Sequence, residues 1–104
     1  DIGQMFSDKN KKFKNIRSEI LLKKIINEIS LRNFFINNID VNIIVQKPRL
    51  GKYKKKLLLN ISKLCRISSD KINIKAKTTE KLGVIGKEKA IAAEVILSVI
   101  KYDL

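Results

Sequence analysis

The most constraining feature of this sequence is an apolar pattern whose period changes along the chain. Over residues 21–29, leucine and isoleucine recur at steps of three and four, which is the period of a helix facing a core. Over 39–45 apolar residues alternate with polar ones, which is the period of a strand. The helical period returns over 54–65 and the alternation over 72–76. A helix between two strands predicts a parallel pair with a right-handed crossover.

Residues at the element boundaries support this order. Ser18 is a suitable N-cap for the first helix, and Asn33 can end that helix in a left-handed turn. Pro48 ends the first strand because it has no backbone N–H for a ladder. Residues 1–17 are polar and aperiodic, so we expect a loop there. The segment over residues 90–102 is ambiguous, because its alanines and Glu94 permit a helix. Its β-branched residues and an alternating apolar row suggest a strand, and we predict a third strand there; the row is Ile91, Ala93, Val95, Leu97 and Val99.

These elements predict a single domain of the α/β (α+β) class, a sandwich with both helices on one face of a small mixed sheet. A chain of 104 residues is long enough for one core. Ile44 and the last segment carry apolar groups on the second face, so we expect self-association to cover that face. No apolar run approaches the length of a transmembrane helix.

The formal charge of +13 is the strongest compositional signal. Lysine, isoleucine and asparagine are all encoded by A/T-rich codons, and only four of the 23 basic residues are arginine. We therefore attribute the lysine excess to codon bias ahead of nucleic-acid binding. A basic nucleic-acid-binding module stays as the alternative, but no zinc-finger, helix-turn-helix or paired-aromatic motif supports it. The single cysteine, Cys65, lies among apolar residues, and we expect it to be buried.

The stretch INIKAKTTEKLGVIG, residues 72–86, carries the most suggestive chemistry. A strand ends there in Thr78, Thr79 and Glu80, and a loop with glycines follows. Hydroxyls donate to phosphate oxygens, and a hard divalent cation takes carboxylate and phosphate oxygens as ligands. The residues would therefore suit a diphosphate with a cation. An ordinary strand end, with both hydroxyls satisfying the backbone, has the same composition, so the stretch alone leaves both interpretations open.

Three blocks of the sequence resemble the 2-C-methyl-D-erythritol 2,4-cyclodiphosphate synthase family. They are DIGQMFSD (1–8), NNIDVNIIVQKPRL (37–50) and INIKAKTTEKLGVIGKEKAIA (72–92), in the family's order and spacing. The resemblance implies a lyase of the non-mevalonate isoprenoid pathway, in a bacterial cytoplasm or a plastid stroma. Its substrate would be 4-diphosphocytidyl-2-C-methyl-D-erythritol 2-phosphate, and its products the 2,4-cyclodiphosphate and CMP. It also implies a homotrimer with the sheets packed inward and the active sites between subunits.

The resemblance assigns site residues as well. The methylerythritol and ribose portions would be contacted by Asp1, Ile2, Gly3, Phe6, Ser7, Asp8, Lys9 and Asn10. The cytidine would be held, largely by backbone groups, by Val45, Gln46, Lys47, Pro48, Arg49, Leu50 and Gly51. The stretch from Lys77 to Glu80 corresponds to the phosphate-binding stretch of the neighbouring active site, with Thr78 as transition-state stabiliser and Glu80 as ligand of Mg²⁺ or Mn²⁺. The further substrate-binding residues implied are Ala76, Thr79, Val84 and Lys87.

Zinc is the point where the sequence departs from the family. The family holds zinc with an Asp-x-His pair and a further histidine, all upstream of the DIG motif, whereas this chain begins at Asp1 and has no histidine. We therefore expect a processed chain or a fragment that lacks the zinc ligands together with the family's first strands and first helix. By itself it should be inactive, and a non-catalytic remnant of the synthase is a further alternative.

Overall fold

The computed structural model describes residues 17–103. Its helices are α1 (Ser18–Leu31), α2 (Lys54–Cys65) and the single-turn α3 (Gly83–Gly86). Its strands are β1 (Phe34–Ile44), β2 (Ile72–Lys77) and β3 (Ala92–Lys101). Short 3-10 turns, Gly51–Tyr53 and Ser69–Lys71, precede α2 and β2.

The three strands form one mixed sheet in the order β2-β1-β3. β1 runs parallel to β2 and antiparallel to β3. The parallel pair follows from the intervening helix α2, because a chain that leaves one strand through a helix returns in the same direction. The predicted parallel pair, the mixed sheet and the third strand are all confirmed.

The ends of the elements differ in detail from the sequence prediction. The N-cap of α1 is Arg17, not Ser18, which is already helical, and no side chain caps this end. Arg17 takes the cap position because its carbonyl accepts the N–H groups of Ile20 and Leu21, at 3.0 and 3.3 Å. Asn33 has φ 65°, so the predicted left-handed turn after α1 is confirmed. The loop with glycines that was predicted to follow Glu80 contains the turn of helix α3.

β1 begins at Phe34, earlier than its alternating pattern suggested, because a β-bulge interrupts the pattern. The register against β3 shifts between Ile36 and Asn38, so one residue of β1 has no partner there. Ile36 and Ile39 consequently both pack on the core, although they differ in sequence parity. A period-of-two pattern cannot continue across such an insertion.

The core lies between the sheet and helices α1 and α2. Its buried residues come from α1, α2, β1 and β2. They are Ile26, Ile39, Val41, Cys65, Ile72 and Ile74. Ile74 is the most buried of them, with 3% of its surface exposed. Cys65 is buried as expected, and that burial raises the pKa of its thiol. The helices therefore cover one face of the sheet, as predicted.

The opposite face of the sheet carries both polar pairs and apolar side chains. Lys75 Nζ lies 3.1 Å from a carboxylate oxygen of Asp40, and the Asn42 side chain donates to Glu94 at 3.2 Å. The last segment places apolar groups on this face, as expected: Ile96 pairs with Asp40 and is 79% exposed, and Ile100 is 40% exposed. Within residues 17–103, no helix is long and apolar enough to cross a membrane.

Candidate functional site

An open cleft of about 520 Å³ lies at the carboxyl ends of the parallel strands β1 and β2. Crevices at this position are the usual ligand sites of open α/β sheets, because the loops that leave adjacent strands diverge there. One wall follows β1 and the other continues β2. The residues that line it are Val45, Gln46, Pro48, Arg49, Leu50, Gly51, Lys54, Ala76, Lys77 and Thr78.

The cleft brings together two sets of residues that the sequence assigned to different parts of a ligand. The predicted cytidine segment contributes all its members except Lys47, and the predicted phosphate segment contributes Lys77 and Thr78. Ala76, predicted as a further substrate-binding residue, also lines the cleft. The two segments are held side by side by the sheet, since the Val45 N–H donates to the Lys77 carbonyl at 2.9 Å. This bond extends the parallel ladder one residue past the last β1 residue.

The charge of the cleft suits an anion. Among residues 17–103, its lining includes three cationic side chains, Arg49, Lys54 and Lys77, and no carboxylate. A concentration of one sign of charge in a concave site attracts ligands of the opposite sign. Sequence reasoning missed Lys54. The available signal was position: Lys54 is the first residue of α2, directly after the turn that follows the cleft loop.

The two threonines at the end of β2 differ in how their hydroxyls are used. The Thr79 hydroxyl donates to the Leu82 carbonyl at 2.6 Å, which occupies its proton within the turn. The Thr78 hydroxyl accepts the Glu80 N–H at 3.2 Å. Its own O–H has no acceptor among residues 17–103 and remains available as a donor at the cleft wall. The interpretation in which a hydroxyl satisfies the backbone therefore holds for Thr79. The Thr78 hydroxyl can still donate a hydrogen bond to a ligand in the cleft.

The turn after Thr78 has an unusual backbone. Glu80 and Lys81 have φ values of 55° and 67°, in the left-handed region that residues with side chains seldom adopt. The Glu80 carboxylate is exposed and has no ion-pair partner within residues 17–103. In sequence it lies two residues beyond Thr78, which lines the cleft.

Two side-chain contacts connect the segment that follows β2 to the loop that follows β1. The Lys81 N–H donates to Gln46 Oε1 at 3.1 Å. Lys47 turns away from the cleft, and its Nζ lies 3.5 Å from a carboxylate oxygen of Glu88. The two loops that form the cleft are therefore linked to each other by side chains as well as by the ladder.

The other predicted site residues lie apart from the cleft or outside the described residues. Val84 is 63% exposed in α3, and Lys87 is the exposed C-cap of that helix. The eight predicted residues between Asp1 and Asn10 precede the described part of the chain.

Gly86 packs against the Lys81 backbone so closely that a side chain would overlap it. A Cβ there would lie 2.6 Å from the Lys81 carbonyl oxygen. Gly86→Ala should therefore displace the turn and lower the free energy of unfolding by about 1–3 kcal/mol, the usual range for overpacking. Urea unfolding of the complete gene product measures this. The control is Gly51→Ala, where a Cβ meets nothing within 4 Å; equal unfolding free energies for the two variants would refute the prediction.

The chain is similar in sequence to named proteins over most of its length. The YgbB family is matched over residues 1–100. The bifunctional enzyme IspD/IspF of Pelagibacter ubique is 67% identical over 103 residues, which are 99% of this chain and 28% of that protein. The 2-C-methyl-D-erythritol 2,4-cyclodiphosphate synthase of Halothermothrix orenii is 44% identical over 94 residues, which are 90% of this chain and 57% of that protein.

Solved structures agree with the sequence comparison. IspF of Plasmodium falciparum, in a CDP complex, matches with a TM-score of 0.84 and 37% identity over 99% of this chain and 61% of that one. The bifunctional IspDF of Campylobacter jejuni matches with a TM-score of 0.90 and 35% identity over 99% of this chain and 28% of that one. This chain thus spans between 28% and 61% of the length of these four proteins. The synthase resemblance of its three sequence blocks is confirmed, and the chain belongs to the YgbB family.

Proposed function

We propose that this chain supplies a nucleotide- and phosphate-binding wall of a 2-C-methyl-D-erythritol 2,4-cyclodiphosphate synthase. The observation that carries the proposal is the cleft at the ends of β1 and β2. There the segment expected to hold cytidine faces the segment expected to hold phosphate, across a space that the described residues line with three cations and no carboxylate. The P. falciparum relative, solved with CDP, supports the choice of a cytidine diphosphate over other anions.

The reaction is an internal phosphoryl transfer. An oxygen of the substrate's 2-phosphate attacks the β-phosphorus, a P–O bond forms to close the ring, and the bond from the β-phosphorus to CMP breaks. Such a transfer requires an in-line arrangement and stabilisation of negative charge on the phosphoryl oxygens. Loop 45–51 would hold the cytidine, Arg49, Lys54 and Lys77 would offset charge, and Thr78 would donate its free hydroxyl to a phosphoryl oxygen.

The donor set at the turn fits Mg²⁺ or Mn²⁺. These ions are commonly bound by one or two carboxylates together with substrate phosphates, and Glu80 offers one exposed carboxylate two residues after the cleft-lining Thr78. When bound, the cation would neutralise charge on the diphosphate. Glu80 would hold it next to the phosphates that Thr78 contacts.

The described residues do not fit zinc. The chain has no histidine, and within residues 17–103 no three Cys, Asp or Glu side chains lie close enough together to hold a metal ion. Zinc in proteins takes about four ligands, mostly imidazole and thiolate. We therefore assign no step on these residues to zinc. Because the family uses zinc, turnover should be tested with the complete gene product.

The surface of β3 supports the proposal that this chain is the larger part of a synthase domain. Val95, Leu97 and Val99 are on the helix-covered side of the sheet, yet they remain 53%, 45% and 46% exposed. Within the described residues, α1 and α2 pack over β1 and β2 and leave β3 open. Additional elements, such as the family's first strands and helix, would cover it.

A homotrimer, with sheets facing inward, is part of the same proposal. The helix-free face, with Ile96 exposed on it, would then be covered by neighbouring subunits. Sedimentation of the complete gene product should give three times the chain mass.

The relatives include an apicoplast enzyme of P. falciparum and bacterial enzymes, and we place this protein in a bacterial cytoplasm or a plastid stroma.

The direct test of the proposed site is calorimetric titration of the complete gene product with CDP. We expect saturable binding that Mg²⁺ strengthens, and an affinity for CDP about tenfold above that for UDP, since the two bases differ in their hydrogen-bonding groups. In Glu80→Gln, the Mg²⁺ enhancement should be lost while binding of CDP without Mg²⁺ is retained. Equal affinity for CDP, UDP and generic RNA, falling steeply with salt, would instead support the nucleic-acid alternative.

A further inference from the structure

We infer that Gln46 is a positioning residue: its side-chain oxygen holds the Thr78–Lys81 turn against the end of β1 and acts on the ligand through that turn. The family resemblance gave Gln46 only a place in the cytidine segment. The geometry instead directs its oxygen to the Lys81 N–H, at 3.1 Å. The effect on catalysis rests on the proposed function, whereas the effect on the turn does not.

The turn requires an external restraint. Glu80 and Lys81 are consecutive residues in the left-handed region, with φ values of 55° and 67°. Such backbone conformations are unfavourable for residues with a Cβ and persist only where the surroundings fix them. The hydrogen bond from Lys81 to Gln46 is one such restraint, and the close contact of Gly86 with the Lys81 backbone is another.

Gln46 is well placed to act as a fixed anchor. The preceding residue, Val45, is buried with 4% exposure, and its N–H donates to the Lys77 carbonyl. The backbone at Gln46 is thereby held by the sheet, and the half-buried side chain reaches across to the turn. The anchor and the phosphate-binding strand end thus belong to one rigid pair of strands.

Two hydrogen bonds connect the Gln46 side chain, through the turn, to the Thr78 hydroxyl. Gln46 fixes Lys81, and the adjacent Glu80 donates its N–H to the Thr78 hydroxyl at 3.2 Å. That bond orients the hydroxyl oxygen and so decides where its O–H can donate. Loss of the Gln46 anchor would leave Thr78 in place directly after β2 but release the turn that orients its hydroxyl.

The neighbouring ion pair is a weaker tether between the same loops. Lys47 and Glu88 lie 3.5 Å apart, with side chains 74% and 48% exposed. Exposed ion pairs contribute little because water and salt screen them. The Gln46–Lys81 hydrogen bond is exposed as well, but it is not a pair of opposite charges and is not weakened by salt in this way.

The experiment compares Gln46→Met, which keeps the side-chain length but removes the acceptor, with Gln46→Glu, which keeps an acceptor. The first readout is hydrogen exchange of the Lys81 amide in the ligand-free complete gene product. We expect about fivefold faster exchange in Gln46→Met, as for the loss of one hydrogen bond, and a change within about twofold in Gln46→Glu. Asn60→Met, at an exposed amide on α2, is the matched control and should leave Lys81 exchange unchanged.

The second readout separates kcat from KM for CMP release. Gln46→Met should lower kcat about tenfold and change KM less, because a misoriented donor acts on the transition state. Gln46→Glu should keep kcat near wild type while its charge raises KM. Unchanged Lys81 exchange in Gln46→Met would overturn the inference, and an increase in KM alone would indicate direct ligand contact. If exchange responds as expected but wild-type protein releases no CMP, the proposed function fails and the anchor stands.

Discussion

Replacing Thr78 with valine in the complete gene product is expected to lower kcat for CMP release by about 10²- to 10³-fold. This is the usual effect of removing one fixed donor to a developing negative charge. Valine has nearly the same shape as threonine but has no O–H, and the Thr78 O–H has no acceptor among residues 17–103. The variant also loses the acceptor for the Glu80 N–H. Steady-state assays of CMP release measure the change.

Two further measurements separate catalysis from folding in this variant. The free energy of unfolding of Thr78→Val should fall by only about 1 kcal/mol, the contribution of one hydrogen bond. Thr78→Ser keeps the hydroxyl and should recover most of the rate. If Thr78→Val retains wild-type kcat, or if Thr78→Ser is as slow as Thr78→Val, the hydroxyl does not have the proposed role.

Replacing Ile74 with alanine should cause the largest loss of stability, about 2–5 kcal/mol. Ile74 is 3% exposed at the centre of the core between β2 and the helices. Truncation removes buried methyl groups and leaves a cavity that the surrounding residues fill only in part. Because domains are stable by only about 5–15 kcal/mol, this loss is a large fraction of the total. Urea unfolding of the complete gene product provides the measurement.

A surface leucine gives the matched comparison for Ile74. Leu59 lies on α2 and is 56% exposed. Its replacement by alanine, a better helix former, should change the unfolding free energy by no more than about 0.5 kcal/mol. Ile74→Val should fall between the two, at about 0.5–1.5 kcal/mol. A loss below about 1 kcal/mol for Ile74→Ala would mean that this residue is not in a well-packed core.

The sequence predicted the elements whose period is uninterrupted. α2 has the predicted bounds, Lys54–Cys65, because every third or fourth residue there is apolar. β2 alternates cleanly, and its parallel pairing with β1 follows from the helix between them. β1 was predicted too short because the bulge between Ile36 and Asn38 breaks its alternation. A bulge depends on the partner strand, which local sequence does not describe.

The helix-free face of the sheet was predicted only in part. The sequence indicated its apolar groups, of which Ile96 is 79% exposed, but not the ion pair that Asp40 and Lys75 form there across neighbouring strands. The alternation of each strand shows which residues share a face. Predicting that Asp40 and Lys75 form an ion pair also requires the register of β1 against β2.

The candidate site divides in the same way. The TTE stretch and the loop from Val45 to Gly51 were recognisable from sequence, and the fold places both at one cleft. The sequence could not distinguish Thr78 from Thr79, because the difference lies in the acceptor that each hydroxyl finds in the turn. The Gln46–Lys81 bond was also beyond sequence reasoning, since it depends on which loops the sheet brings together.

The most direct test of the central claim is phosphorus NMR of the complete gene product with 4-diphosphocytidyl-2-C-methyl-D-erythritol 2-phosphate and Mg²⁺. We predict the disappearance of the 2-phosphate monoester signal and the appearance of a cyclic diphosphate together with one equivalent of CMP. Unchanged substrate signals in the presence of protein that binds CDP would contradict a synthase and indicate a non-catalytic cytidine-binding protein.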